Sequence, residues 1–275
     1  MFQLLSRVTA KLAPATPPKL KGYASFAAAL ADSNSYEDQR LIAVVSEKTR
    51  RYREALRNSP SRTIDSRQTV QNMFVLSQVE PQRKIYVLEI GGACGASFYE
   101  AKYLLPDRVE HWSIVETAAM AAAGEALKND PELTFHSDVN SALASLESHD
   151  LAIVQGTLQY VPDPPQLLNQ LFATDIGYVY VTRTPVTAVT ASIFTKQETD
   201  LAAHGPGKLP NSPAGKSSQP LTLLNDATLF DAVPAGHEIV FRFEESGHRT
   251  LLIDDRAVEV RDVGFLARKR VYSHT

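Results

Sequence analysis

The chain has 275 residues, of which 44% are hydrophobic and 21% charged, with a formal net charge of −3 and a pI near 6.2. A nucleic-acid-binding domain is usually basic, so this composition argues against that function. The single cysteine, Cys94, excludes an intrachain disulfide and a zinc cluster built on cysteines, which is typical of a reducing, cytoplasmic compartment. No run of about eighteen apolar residues suggests a membrane span.

Residues 1–80 are predicted to form a helical extension. Residues 1–13 contain basic but no acidic side chains, and their leucines fall on one helical face. This amphipathic segment either docks on its own domain or contacts a membrane surface. Two further helices are predicted at Tyr36–Leu56 and Arg67–Val79.

An apolar strand that runs directly into small residues is the most informative feature of the sequence. Lys84–Ile90 is typical of a buried parallel strand and has Glu89 near its end, while Ser97–Leu105 is typical of a helix. The turn between them contains Gly91, Gly92 and Gly95, which allow a sharp backbone turn and the close approach of a ligand. This arrangement predicts a nucleotide-type pocket.

Strands and helices continue to alternate after this turn. The predicted strands are His111–Glu116, Leu133–Asp138, a fourth strand that together with its following turn spans Asp150–Pro164, Ile176–Arg183, Ile239–Phe243 and Val263–Arg268, and the predicted helices are Ala118–Asn129, Ser141–Leu146 and Pro165–Phe172. Together with the first strand they predict an α/β fold for residues 81–275: a Rossmann-like, seven-stranded, mostly parallel sheet with helices on both faces.

A break in composition interrupts this domain at about residues 202–220, where glycine, proline and serine are frequent. We expect a flexible surface loop there. Gly215-Lys216-Ser217 does not form a phosphate-binding loop, because the first glycine of that motif would fall on Pro210.

The spacing of the glycines distinguishes between nucleotide cofactors. The dinucleotide fingerprint fails, since its second and third glycines are Ala93 and Ala96, and a carboxylate at Glu89 would repel a pyrophosphate. S-adenosylmethionine has no phosphate, and its sulfonium, ammonium group and ribose diol suit a carboxylate beside bare backbone. A nicotinamide-dependent oxidoreductase is therefore a weaker hypothesis.

The pattern Glu89-x-Gly91-x-Ala93-x-Gly95 resembles motif I of the class I S-adenosylmethionine-dependent methyltransferases. That resemblance implies the strand order 3-2-1-4-5-7-6 with an antiparallel last strand, and an N-terminal segment that either covers the substrate side or simply packs on the sheet. Further segments resemble a group of bacterial methyltransferases often encoded among polysaccharide-synthesis genes; they are Gly22–Phe26, Gly91–Tyr99, Leu158–Tyr160 and Thr182–Pro185.

The resemblance also implies which residues bind the cofactor. Glu116 would hold both ribose hydroxyls and Asp138 would accept from the adenine amino group. The full predicted set is Glu89, Gly91, Gly92, Gly95, Glu116, Ser137, Asp138, Gln155 and Gly156. No metal site is predicted.

The expected reaction is methyl transfer to a small-molecule or saccharide-type acceptor, most simply a hydroxyl, which needs a general base. No base is evident in the sequence: Gln159 and Tyr160 follow the fourth strand but neither is basic, and His204 is a remote candidate. Tyr160 could orient an acceptor, and Arg183 could hold an anionic one. The alternative is a noncatalytic cofactor-binding or structural module with the same fold.

Overall fold

The structure, a computed structural model, describes residues 17–34, 36–58, 67–211, 213–245 and 248–270. The amphipathic segment predicted at residues 1–13 lies outside the described residues.

The helices are α1 (Phe26–Ala31), α2 (Gln39–Asn58), α3 (Arg67–Gln78), α4 (Ala96–Leu104), α5 (Ala118–Leu127), α6 (Val139–Ala144), α7 (Pro164–Phe172) and α8 (Asp226–Asp231). The strands are β1 (Lys19–Leu20), β2 (Ile85–Ile90), β3 (Val109–Val115), β4 (Leu133–His136), β5 (Leu151–Gln155), β6 (Tyr178–Thr187), β7 (Ile193–Asp200), β8 (Lys216–Asn225), β9 (His237–Glu244), β10 (Arg249–Ile253) and β11 (Arg256–Lys269).

The central sheet has the order β4-β3-β2-β5-β6-β11-β9. Strands β2 to β6 are parallel, and β11 runs antiparallel to both β6 and β9. This path matches the order that the resemblance implies. All carboxyl ends of the parallel strands therefore meet at one edge, where ligands bind in sheets of this kind.

The predicted number of seven strands is not confirmed for the whole sheet, because the described residues form eleven strands. The four additional strands, β1, β7, β8 and β10, pair with one another as β7 with β8 and β1 with β10, and they join the central path through β8 with β6 and β10 with β11. Ile193–Asp200 is rich in polar side chains, which conceals a strand whose partner lies some twenty residues further along the chain.

The predicted loop at about residues 202–220 also ends earlier than expected. Lys216–Pro220 are the first residues of β8, where they pair with β7, and Ser217 and Gln219 are buried. Proline and serine are uncommon in strands, so local composition indicated a loop where long-range pairing forms a strand.

Helices cover both faces of the sheet. Along β2, Ile85 and Val87 face α3 and α4, while Leu88 and Ile90 face α6, α7 and α8. This alternation follows from the two-residue period of a strand, and it places Glu89 on the same face as Ile85 and Val87. Full burial of each such aliphatic side chain contributes roughly 1.5–3 kcal/mol to folding.

A helical extension was predicted for residues 1–80, but this segment also contains the short strand β1. Leu20 of β1 pairs with Ile253 of β10, and the amide of Tyr23 donates to the carbonyl of Phe194 in β7. Helix α2 lies against α4 and α5 through buried Leu41 and Val45. The segment thus reaches across the edge of the sheet where the parallel strands end.

Candidate functional site

The turn after β2 has a left-handed backbone at three alternate residues. Gly91 has φ of 78°, Ala93 of 49° and Gly95 of 89°. A Cβ at Gly91 would lie 2.2 Å from the Thr157 hydroxyl oxygen, and one at Gly92 would lie 2.7 Å from a carboxyl oxygen of Glu89. Side chains are therefore excluded from both positions, and the turn presents bare backbone.

Glu89 is a buried carboxyl, 2% exposed, beneath this turn. It accepts a hydrogen bond of 2.9 Å from the indole Nε1 of Trp112 and another from the hydroxyl of Ser97. Burial raises the pKa of Glu89 to about 7, and the nearby carboxyls of Glu100 and Glu116 act in the same direction.

Glu116 follows β3 and is fixed by two backbone donors. One carboxyl oxygen accepts from the amide of Ala93 at 2.9 Å, and the other accepts from the amide of Thr117 at 3.0 Å. Burial raises the pKa of this carboxyl above its ordinary value, against the opposite effect of the two amides. The contact with Ala93 locks the glycine turn onto the end of the neighbouring strand.

Two adjoining cavities open at this edge of the sheet. The smaller has a volume of about 310 Å³ and is bordered by Glu116 and by the apolar side chains of Leu41, Val45, Ile90, Val115, Met120 and Val161. The larger has a volume of about 800 Å³ and extends from Glu89 and Gly92 across β5 and β6 to β7. They share walls that include Tyr36, Gly91, Gln155, Gly156, Tyr160 and Arg183.

The residues present fit S-adenosylmethionine. An apolar cavity with one fixed carboxylate at its border suits a purine joined to a ribose diol. The bare backbone at Gly91 and Gly92 leaves room for a ligand to cross the turn, and the buried carboxyl of Glu89 suits a positively charged group.

Most of the predicted cofactor residues meet at these cavities. Glu89, Gly91, Gly92, Glu116, Gln155 and Gly156 line one or both of them. Gly95 lies behind the turn, where its left-handed backbone begins α4.

Ser137 and Asp138 do not line either cavity. Both are exposed, and the Asp138 carboxylate accepts from the amide of Ser141 at 2.9 Å, which caps α6. The sequence suggested a strand that continues to Asp138, whereas β4 ends at His136. Their predicted contact with adenine rests on the resemblance alone.

The three acceptor-side candidates all line the larger cavity. Gln159 is buried, and its side-chain carbonyl has no hydrogen-bond partner. The Tyr160 hydroxyl donates to the side-chain carbonyl of Gln197 at 2.6 Å, and its ring lies edge-on to Tyr36 with centroids 5.3 Å apart. Burial raises the pKa of Tyr160, so its hydroxyl keeps its proton at neutral pH.

Arg183 stands where the two cavities join. Its backbone is left-handed, with φ of 54°, and its guanidinium lies 3.5 Å from the carbonyl oxygen of Gln155. A Cβ at Gly156 would lie 2.6 Å from the same guanidinium, so glycine is needed there for the arginine to approach.

Glu245 is a carboxylate that the sequence did not indicate. It lines the larger cavity next to Arg183 and accepts two hydrogen bonds of 2.5 Å, from the hydroxyl of Thr182 and from the amide of Arg183. Burial raises its pKa above the ordinary value. It follows β9, far along the chain from the motifs, and only the antiparallel pairing of β9 with β11 brings it to the site.

A second missed group fixes Gln155. The side-chain amide of Asn72, in α3, donates to the side-chain carbonyl of Gln155 at 2.9 Å, and Gln68 donates to Asn72 at 3.0 Å. The sequence signal for this contact was the spacing of Gln68 and Asn72, which places two polar side chains one helical turn apart on the same face of α3.

His204, the remote candidate, lines both cavities. Its Nε2 lies 2.7 Å from the hydroxyl of Ser217, and burial followed by the charge of Lys48 lowers its pKa. It is therefore neutral at pH 7. The described residues contain neither a metal-binding cluster of His, Cys, Asp and Glu nor a helix long and apolar enough to span a membrane.

No protein-family model matches the sequence, and no curated protein matches it. Solved structures do resemble the fold. One is magnesium protoporphyrin IX methyltransferase from Synechocystis PCC 6803 with bound S-adenosylmethionine, at 11% identity and a TM-score of 0.40 over 72% of this chain and 79% of the other.

Two more have comparable similarity. An S-adenosylmethionine-dependent methyltransferase from Clostridium acetobutylicum ATCC 824 has 9% identity and a TM-score of 0.45 over 76% of this chain and 93% of its own. The [4+2]-cyclase SpnF has 15% identity and a TM-score of 0.45 over 74% and 81%. Similarity at this level carries no argument about the reaction or the ligand of this chain.

Proposed function

We propose that this protein is an S-adenosylmethionine-dependent methyltransferase. The observation that carries the proposal is the position of Glu116, whose carboxylate is held by the amides of Ala93 and Thr117 at the border of the smaller, apolar cavity. A carboxylate fixed there accepts hydrogen bonds from two adjacent ribose hydroxyls while the purine occupies the apolar space.

This placement of the ribose and the purine also assigns roles to the other residues that line the cavities. Gly91 and Gly92 let the ligand cross the turn, Glu89 faces its positively charged part, and Gln155 and Gly156 border the junction of the cavities. S-adenosylmethionine, when bound, supplies an activated methyl group on a sulfonium sulfur. The chain then has to position the acceptor and remove its proton.

The acceptor is proposed to be a polyhydroxylated molecule of the saccharide type. The wall of the larger cavity is rich in amides and hydroxyls, contributed by Gln68, Gln71, Gln155, Gln159, Gln197 and Thr199. Amides both donate and accept hydrogen bonds, which suits a ring of hydroxyl groups. The unpartnered carbonyl of buried Gln159 offers one such acceptor.

We propose that Glu245 is the general base that accepts the proton of the acceptor hydroxyl. This carboxylate borders the larger cavity, its orientation is fixed by Thr182 and Arg183, and its raised pKa makes it a better base than an ordinary glutamate. The missing base was one reason to consider a noncatalytic module, and Glu245 removes that reason. A cytoplasmic location and a role in polysaccharide synthesis remain part of this proposal.

Calorimetric titration with S-adenosylmethionine, S-adenosylhomocysteine and NAD in one buffer tests the cofactor. We expect the first two to bind and NAD not to bind. Transfer of a labelled methyl group to a panel of methyl glycosides then tests the acceptor. Binding of NAD alone, or of none of the three, would contradict the proposal.

A further inference from the structure

A second carboxyl group, Glu100, faces the larger cavity beside Glu89. Glu100 lies in α4, one turn after Ser97, and both residues line the cavity together with Ala96. Ser97 in turn donates to Glu89, so Glu89, Ser97 and Glu100 form one continuous polar surface at the end of the cavity nearest the glycine turn.

Both carboxyls are held by neutral donors. Glu100 accepts from the Tyr52 hydroxyl of α2 at 2.7 Å and from the Thr69 hydroxyl of α3, whereas Glu89 accepts from Trp112 and Ser97. Within the described part of the chain, neither carboxyl forms an ion pair. The charged groups that act on Glu89 are Glu100 and Glu116, which are also acids.

This arrangement is unfavourable in the absence of a ligand. Two acids near one another and shielded from water resist ionisation, and burial accordingly raises the pKa of each. A positively charged ligand group would reverse this effect, because it would stabilise both carboxylates at once.

An independent observation also indicates a ligand here. Thr49 of α2 is fully buried and lines the same cavity, yet its hydroxyl oxygen has no hydrogen-bond partner in the structure. Buried hydroxyls are normally paired, so a polar ligand atom within reach of Thr49 would account for it.

We propose that Glu89 and Glu100 together form a subsite for the ammonium group at the amino-acid end of the cofactor, and that the pair releases a proton when this group binds. The inference rests on the proposed function, and it assigns to Glu100 a binding role that the sequence motif does not contain. Thr49 and Tyr52 of α2 and Thr69 of α3 complete the subsite.

Three ligands that differ only at the amino-acid end of the cofactor test whether Glu100 contacts the ammonium group. S-adenosylhomocysteine carries the ammonium and the carboxylate, its decarboxylated analogue retains only the ammonium, and 5′-methylthioadenosine has neither. We expect Glu100→Gln to weaken binding of the first two ligands by about tenfold or more and to leave the affinity for 5′-methylthioadenosine unchanged. Only the two ammonium ligands would lose a hydrogen bond to a charged group. Glutamine still accepts from Tyr52 and Thr69, which preserves the fold. Glu125→Gln, at an exposed site in α5, is the matched control.

Calorimetry in buffers with different ionisation enthalpies, at about pH 6.5, measures the proton. We expect wild-type protein to release a fraction of a proton with both ammonium ligands and none with 5′-methylthioadenosine. Equal weakening of all three ligands by Glu100→Gln, an unchanged affinity for the ammonium ligands, or the absence of proton release would each overturn the subsite. Failure of wild-type protein to bind S-adenosylhomocysteine would instead overturn the proposed function itself.

Discussion

The ammonium group of Lys48 donates a hydrogen bond of 2.6 Å to the backbone carbonyl of His204. It also donates to the carbonyl of Ala202 at 3.0 Å, and the side chain is only 3% exposed, so that burial lowers its pKa. Because His204 borders both cavities, this buried lysine fastens the segment above the site to α2.

Replacing Lys48 tests this attachment. We expect Lys48→Met to destabilise the protein by about 1–3 kcal/mol, since two buried carbonyls lose their donor while the aliphatic stem is retained. S-adenosylhomocysteine should also dissociate faster from the variant. Urea denaturation and stopped-flow dissociation measure the two effects. Lys84→Met, at a half-exposed lysine, is the control, and equal effects of the two substitutions would contradict the assignment.

Ionisation of Glu89 should make stability depend on pH. The pKa of this carboxyl is raised from 4.5 to about 7 in the folded protein, so the folded state binds more protons than the unfolded state between these values. Stability is therefore highest below pH 4.5 with respect to this group and is lost as the pH rises through about 7.

Glu89→Gln should remove this loss. The variant is expected to be more stable than wild type at pH 8, by on the order of 3 kcal/mol for a rise in pKa from 4.5 to about 7, and to approach wild type at low pH. Urea denaturation between pH 5 and pH 8 measures the difference. A difference in free energy of unfolding that stays constant with pH would show that Glu89 does not titrate in this range.

Glu116 should dominate the affinity for the cofactor. We expect Glu116→Ala to weaken binding of S-adenosylmethionine by about 1–3 kcal/mol, because buried donors lose their acceptor. The variant should also bind adenosine more weakly than wild type, by a similar factor, since the contact of Glu116 is with the ribose. Calorimetry of a folded variant provides the check, and an unchanged affinity would remove Glu116 from the site.

Asp138 should affect folding but not the cofactor. Its carboxylate caps α6 through the amide of Ser141, so Asp138→Ala should lower the midpoint of thermal unfolding. Affinity for S-adenosylhomocysteine should stay within about twofold of wild type, as expected for a surface site away from the ligand. A tenfold loss would instead support the contact with adenine that the resemblance implies.

Glu245 should limit turnover. With the methyl glycoside identified in the acceptor screen, we expect Glu245→Gln to lower kcat by about 100-fold or more while cofactor affinity stays the same, as for loss of a general base. Thr182→Val removes one of the hydrogen bonds to Glu245 but keeps the carboxylate, and it should reduce kcat much less. If both variants lose activity equally, Glu245 has only a structural role.

The positions of most residues in the cofactor half of the candidate site could be predicted because their signals are local. Glu89 and Glu116 each end a strand whose apolar pattern is visible, and the glycines identify the turn between strand and helix. The order of the central strands followed from a resemblance carried by the same residues. Asp138 lies away from the cavities because β4 ends at His136, two residues before the predicted end of the strand, and the side chain caps α6 instead.

The acceptor half could not be predicted in the same way. Gln197 lies in a strand that exists only through its pairing with β8, and Glu245 reaches the cavity through the pairing of β9 with β11. Lys48 has the residue type of a solvated helix face, yet its carbonyl partners come from a segment more than 150 residues further along the chain. Such contacts depend on tertiary structure and leave no periodic pattern.

The pairing of β1 with β10 has a consequence for synthesis. Lys19 and Leu20 have as their partners Leu252 and Ile253, so they cannot pair until residues 252 and 253 have been synthesised. A contact between such distant segments carries a large loop-closure entropy and forms late. The pairing of β1 with β10 is thus among the last strand pairings to form, although β1 precedes the other strands in the chain.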